Sequence, residues 1–198
     1  MDKLYSKLFD CGCIKFGEFK LKSGIMSPVY VDFRTLVSYP EVLKSVAEAM
    51  LGVMKGLTFD RIAGIPYAGL PLGVAVSLAG NIPMIYPRKE QKTHGTAKLI
   101  EGEHKPGETV VVIDDIITDG ASKIETIAPL EEAGLVVKDV VIVLDREQGG
   151  AAKLAKAGYR LHSVAKLSGV LESLVRQGKV TQKKHDEVAR FIAENQFV

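Results

Sequence analysis

Along most of this chain, short β-branched runs alternate with stretches whose apolar residues recur every third or fourth position. Pro40 opens one of the helical stretches, and its Leu43, Val46, Ala47, Met50, Leu51 and Met54 fall on a single face. Strands are predicted over residues 61–65, 82–86, 110–113, 140–144 and 161–164, separated by helical stretches or by one long loop. Runs such as Val110 to Ile113, apolar at every position, have the composition of strands buried on both faces. The expected architecture is therefore α/β, a doubly wound, mostly parallel sheet. Such sheets collect their ligands at the carboxyl ends of the strands.

Before Pro40 the pattern is different. An amphipathic helix over 3–9 and two strand-like pieces, 14–21 and 28–33, predict a small N-terminal hood subdomain of roughly residues 1–38 on a core of roughly 39–198. Two more helices, 169–176 and 182–194, close the pattern. The chain has 198 residues, 46% of them hydrophobic, enough to bury one sizeable core, and without repeats or a linker it reads as one domain. Residues 87–109 form the one long irregular stretch, and loops of that length inside compact domains tend to be functional lids.

The chemistry concentrates at residues 111–123. The run ending at Ile113 meets two acids, Asp114 and Asp115, expected at the strand's carboxyl end. After Ile116 and Ile117 come Thr118, Asp119, Gly120, Ala121 and Ser122, and then a helical pattern from Lys123. Small side chains leave backbone N–H groups free to converge on phosphate oxygens, Gly120 permits a positive φ, and a helix start adds partial positive charge. Neighbours on a strand point to opposite faces, so the two acids are not expected to act as one carboxylate pair. One would face a sugar while the other orients the loop or a hydrated metal.

Charge narrows the partners only a little. The net charge is +2 and no segment gathers Lys and Arg into a stripe, so a nucleic-acid partner is not expected. No apolar run approaches the roughly 18 residues of a membrane span, and residues 1–10 lack a signal-peptide pattern, so no membrane and a cytoplasmic location are expected. Cys11 and Cys13, separated only by Gly12, lack further Cys or His nearby and are expected to be free thiols.

Residues 111–123 resemble the phosphoribosyl pyrophosphate (PRPP) motif of type I phosphoribosyltransferases, in which the acids hold the ribose hydroxyls and the loop holds the 5'-phosphate. Two further stretches resemble the orotate phosphoribosyltransferases, in the form seen as the first domain of eukaryotic uridine monophosphate (UMP) synthase. One is residues 16–34, and the other is the basic segment Arg88, Lys89, Glu90, Gln91, Lys92, Thr93, His94 and Gly95. The resemblance runs nearly end to end. It implies the type I phosphoribosyltransferase fold and Mg²⁺-dependent transfer of phosphoribose from PRPP to orotate, with the metal held mainly through substrate oxygens and water. By position, Lys92 matches the lid lysine that reaches the reacting pyrophosphate, with Arg88, Lys89 and His94 as its companions. Thr118, Arg146, Lys22 and Phe33 match positions beside orotate, and Arg146 has the planar fork that suits a carboxylate. Tyr67 and Ala68 fall in the pyrophosphate loop, where many bacterial members carry lysine in place of Ala68. In the family the lid closes over the neighbouring subunit, which implies a homodimer.

Plainer readings stand beside these. A basic loop is often only solvated, and Arg146 could be paired with Asp145 or Glu147. Transfer to another base, and a PRPP-binding regulator without catalysis, are the competing functions. A decarboxylase barrel, with its roughly 200 or more residues, does not fit in the length beyond the transferase pattern.

Overall fold

The computed structural model describes residues 1–20, 24–88 and 99–197. In chain order these form α1 (Asp2–Asp10), β1 (Ile14–Lys20), β2 (Met26–Val31), a 3₁₀ turn (Phe33–Ser38), α2 (Pro40–Met54), β3 (Arg61–Gly64), α3 (Gly69–Gly80), β4 (Met84–Pro87) and β5 (Ile100–Glu101). The second half contributes β6 (Thr109–Ile117), α4 (Ala121–Glu132), β7 (Val136–Asp145), α5 (Gly150–Lys156), β8 (Arg160–Lys166), α6 (Leu167–Arg176) and α7 (Gln182–Glu194).

Six strands form the main sheet in the order β5-β4-β3-β6-β7-β8, parallel except for the antiparallel β4–β5 pair. Both faces are covered, as apolar strands require. Val111 and Ile113 of β6 join Val46, Met50, Leu72, Val170 and Leu171 in one core, while Val110 and Val112 join Ile127, Leu130 and Leu154 in the other. The alternation within one strand thus feeds two separate cores.

Two expectations need correction. Strand β6 does not stop before the acids: Asp114, Ile116 and Ile117 continue the ladder opposite Ile142, Leu144 and Asp145, so the acids sit inside the strand's last turns of pleat. The stretch 87–109 is not wholly irregular, because Tyr86 and Pro87 pair with Glu101 and Ile100.

The hood pieces form their own two-stranded antiparallel sheet, β1 with β2. The last helix, α7, packs against β2, and α1 packs against α6, so the two ends of the chain meet. Cys11 and Cys13 are buried free thiols, with Sγ atoms 3.3 Å apart, and burial pushes the Cys13 thiol up. Helix α3 approaches β6 very closely at its first residue. A Cβ on Gly69 would lie 2.6 Å from the carbonyl oxygen of Ile113, so only glycine lets the helix start there.

Candidate active site

A cleft of about 490 Å³ opens at the carboxyl ends of β3 and β6. Its floor is Asp114 and Asp115, one wall is Ile65 to Ala68 between β3 and α3, and the other is Ser122, Lys123 and Thr126 at the start of α4. Arg88, at the end of β4, borders it as well. This is where an open parallel sheet presents ligand sites.

The two acids play different parts. Asp114 is only 4% exposed and forms an ion pair with Lys123 of α4. Its Oδ1 also accepts the N–H of Asp115 at 2.8 Å. A buried carboxylate needs such partners, because desolvation costs several kcal/mol per ion. Asp115 accepts the N–H of Ile116 at 2.8 Å and carries no ion pair among the described residues. Burial, followed by the charge of Asp114, pushes its pKa up to about 7, against the opposing pull of Lys123. On the hood side, Arg34 has its pKa raised chiefly by hydrogen bonding to Asp32, and Asp115 is among its further negative neighbours. Asp114 thus engages α4, while Asp115 lines the cleft without an ion pair among the described residues.

Helix α4 begins after Gly120, whose φ is +81°, and no side chain caps its start. Its first-turn N–H groups therefore lack the side-chain oxygen that usually satisfies them, which suits an anion. Thr118, Gly120 and Ile117 are held by the neighbouring loop. The carbonyl of Ile117 accepts the Arg146 N–H at 3.0 Å, and that of Thr118 accepts the Gly150 N–H at 2.9 Å. Asp119 is 3.5 Å from Lys153 in an exposed ion pair.

Arg146 is 8% exposed, and its Nε and Nη2 have no hydrogen-bond partner among the described residues. The flanking acids are committed elsewhere: Asp145 accepts the Glu147 N–H at 2.8 Å, and Glu147 Oε2 accepts the Ser168 N–H at 2.8 Å. Desolvation pulls the Arg146 pKa below its ordinary value. A buried guanidinium without an acid is an open demand for an anion.

The expected residues do not all converge. Asp114, Asp115, Ser122, Tyr67, Ala68 and Arg88 border the cleft, whereas Ile116, Ile117, Thr118, Asp119, Gly120, Ala121 and Arg146 do not line it. Phe33 lies in the core at 3% exposure, packed with the first hydrophobic cluster. Lys22, Lys89, Lys92 and His94 lie outside the described residues. Sequence reasoning missed Lys123, Glu101, which forms an ion pair with Arg88, and the cleft residue Thr126. The one signal for Lys123 was its place in the first turn after the loop, where its side chain can swing back over the strand end.

An open, mostly parallel sheet whose central strand carries two acids near its carboxyl end and leads to an uncapped helix start, with a separate antiparallel hairpin beside it, defines the type I phosphoribosyltransferase class. The solved UMP synthase of Leishmania donovani matches this fold with a TM-score of 0.90 at 41% identity, over 98% of this chain and 42% of that one. The orotate phosphoribosyltransferase of Caenorhabditis elegans is 39% identical over 192 residues, 96% of this chain and 85% of its own length. The chain belongs to the orotate phosphoribosyltransferase family. The uridine 5'-monophosphate synthase of Bos taurus is 44% identical over 200 residues, 100% of this chain and 42% of its own length. This chain thus spans about two fifths of the two synthases it resembles. No protein-family model matches the chain. Among the described residues no helix is long and apolar enough to cross a membrane.

Proposed function

We propose that the chain transfers the 5-phosphoribosyl group of PRPP to orotate, releasing pyrophosphate and giving orotidine 5'-monophosphate, a step of pyrimidine synthesis. The observation that carries this reading is Arg146, a buried guanidinium with unpartnered nitrogens beside a phosphate-type loop. A carboxylated base would satisfy it, and a neutral base would leave it unpaired.

In this reading the uncapped start of α4, with Thr118, Asp119, Gly120, Ala121 and Ser122, receives the 5'-phosphate. Asp115 and Asp114 accept hydrogen bonds from the ribose hydroxyls, with the Lys123 ion pair holding Asp114 in place. Tyr67 and Ala68 offer the wall for the pyrophosphate. Ala68 contributes no cation there, so neutralisation falls to Arg88, which must exchange Glu101 for phosphate, and to Lys89, Lys92 and His94. The departing pyrophosphate leaves an oxocarbenium-like sugar, and cations placed where the negative charge develops lower that barrier. Orotate is already anionic, so positioning outweighs general-base catalysis. Lys22 near the base and Phe33 behind the site complete the assignment, Phe33 as a core support.

Mg²⁺ belongs to the same reading as an ion carried on pyrophosphate and ribose oxygens. No group of three or more His, Cys, Asp or Glu side chains is poised as a metal site among the described residues. Asp115, free of an ion pair, fits a hydrated Mg²⁺ better than Asp114, and the ion would supply charge neutralisation on the leaving group. The reading also takes the enzyme to be a homodimer, with the lid shared between subunits. Helix α3 supports this, since Val74 and Leu78, one turn apart, are 50% and 80% exposed and favour an apolar partner face. A cytoplasmic setting belongs to the same reading.

The test is orotate depletion followed by absorbance with PRPP and Mg²⁺, with uracil, hypoxanthine and adenine as competing acceptors. Consumption of orotate alone is expected. Turnover of a neutral base in its place, or PRPP binding without any transfer, would overturn the reading.

A further inference from the structure

Because no acid among the described residues pairs with Arg146, its position is set by the loop that carries it, residues 146–149, and that loop is tied down on three sides. Toward β6, the Arg146 N–H donates to the Ile117 carbonyl at 3.0 Å. Toward α6, the Glu147 carboxylate accepts the Ser168 N–H at 2.8 Å. The third side is the segment that follows α7. Gln148 Nε2 donates to the Asn195 carbonyl at 2.8 Å, and the Phe197 N–H donates to the Gln148 carbonyl at 2.9 Å. Gln196 Nε2 donates to the Glu147 carbonyl at 2.9 Å and also to the Ile192 carbonyl at 2.6 Å.

The chain spends heavily on this third side. Gln148 is 1% exposed, and its Oε1 has no partner, a cost that an apolar residue would avoid. Glu147 adopts a φ of +60°, a conformation that non-glycine residues hold only under constraint. Gly149, at φ +102°, leaves room for the segment: a Cβ there would fall 2.2 Å from the Phe197 carbonyl oxygen.

We infer that residues 195–197 act as a strap that positions Arg146, with Gln148 and Gln196 as its fastenings. The inference rests on the reading of Arg146 as the partner of the orotate carboxylate. A buried, unpaired guanidinium gains hydration by turning outward, so a loop freed on one side would populate conformations in which Arg146 no longer faces the base. Orotate would then bind only the fraction that remains competent, and its apparent affinity would fall by that fraction. PRPP, held by the phosphate loop and the β6 acids, would be largely unaffected. Gln148 and Gln196 are positioning residues, since neither needs to touch substrate.

The experiment measures KM and kcat for both substrates in Gln148→Ala, Gln196→Ala and Arg146→Met. Each variant loses one side-chain bond of the strap, an exposed one in Gln196→Ala and a part-buried one in Gln148→Ala, and is expected to raise KM for orotate roughly threefold and roughly tenfold respectively, with KM for PRPP within about twofold. A merely structural role would lower the active fraction, and hence kcat, without this split. Gln196 is exposed, so its variant decides the matter even if Gln148→Ala does not fold. If Arg146→Met raises KM for orotate and the glutamine variants do not, or if they shift both substrates equally, the strap is refuted while the site stands. If Arg146→Met leaves orotate unaffected, the site reading falls and the strap with it.

Discussion

Replacing Asp115 by asparagine should stabilise the substrate-free protein, and only above about pH 4. The carboxyl is pushed from its usual 3.8 up to about 7 by burial and by Asp114. Below about pH 4 both the folded and the unfolded chain hold this proton, so the site carries no penalty there. Between about pH 4 and 7 the unfolded chain has released the proton and the folded chain has not, so stability is lost steadily as pH rises. At 1.36 kcal/mol per pH decade the ceiling is ~4 kcal/mol. Asp115 is only partly buried, and solvent screening reduces this to about 1–2 kcal/mol. Asparagine stays neutral throughout and keeps an oxygen for the Ile116 N–H. Calorimetry without substrate should therefore show equal Tm values near pH 4 and a variant Tm higher by roughly 2–8 °C at pH 8. A variant no more stable at pH 8 than its parent, or a gap that does not depend on pH, would refute the account of the site's electrostatics.

Arg146→Met should likewise raise the Tm of the unliganded protein, by about 1–3 kcal/mol in stability, because it removes a buried charge without a partner, and should raise KM for orotate roughly a hundredfold. Thermal melts paired with steady-state kinetics check both halves, and a Tm that falls would contradict the orphaned state of the guanidinium. Lys123→Met strands Asp114 in a buried site and should cost about 3–5 kcal/mol in urea unfolding. A loss below about 1 kcal/mol would show that the ion pair is not what offsets the burial of that carboxylate.

Periodicity in the sequence was enough for the helix starting at Pro40 and for the five core strands, because each buries apolar residues at the spacing its own geometry requires. It stopped β6 short, since Asp114 and Asp115 look like a turn until Ile116 and Ile117 are seen paired opposite Leu144 and Asp145. The two-residue strand Ile100–Glu101 has no period to detect. The phosphate loop was legible because its chemistry is local. Arg146 could be picked out as a carboxylate partner, but its lack of an acid could not, because Asp145 and Glu147 flank it in sequence and only the fold commits them to other N–H groups. The ion pairs Lys123 to Asp114 and Arg88 to Glu101, like the strap at residues 195–197, join segments that nothing in the sequence links.

The short β5 has a consequence for solubility. An open parallel sheet offers raw backbone at its borders, where a neighbouring molecule's strand can attach and start a fibre. Here one border ends in two antiparallel residues, too few to template a stranger, and the other carries Arg160 and Lys166, charges that resist close approach. Lengthening β5 or neutralising those two side chains would turn the sheet's borders into candidates for aggregation.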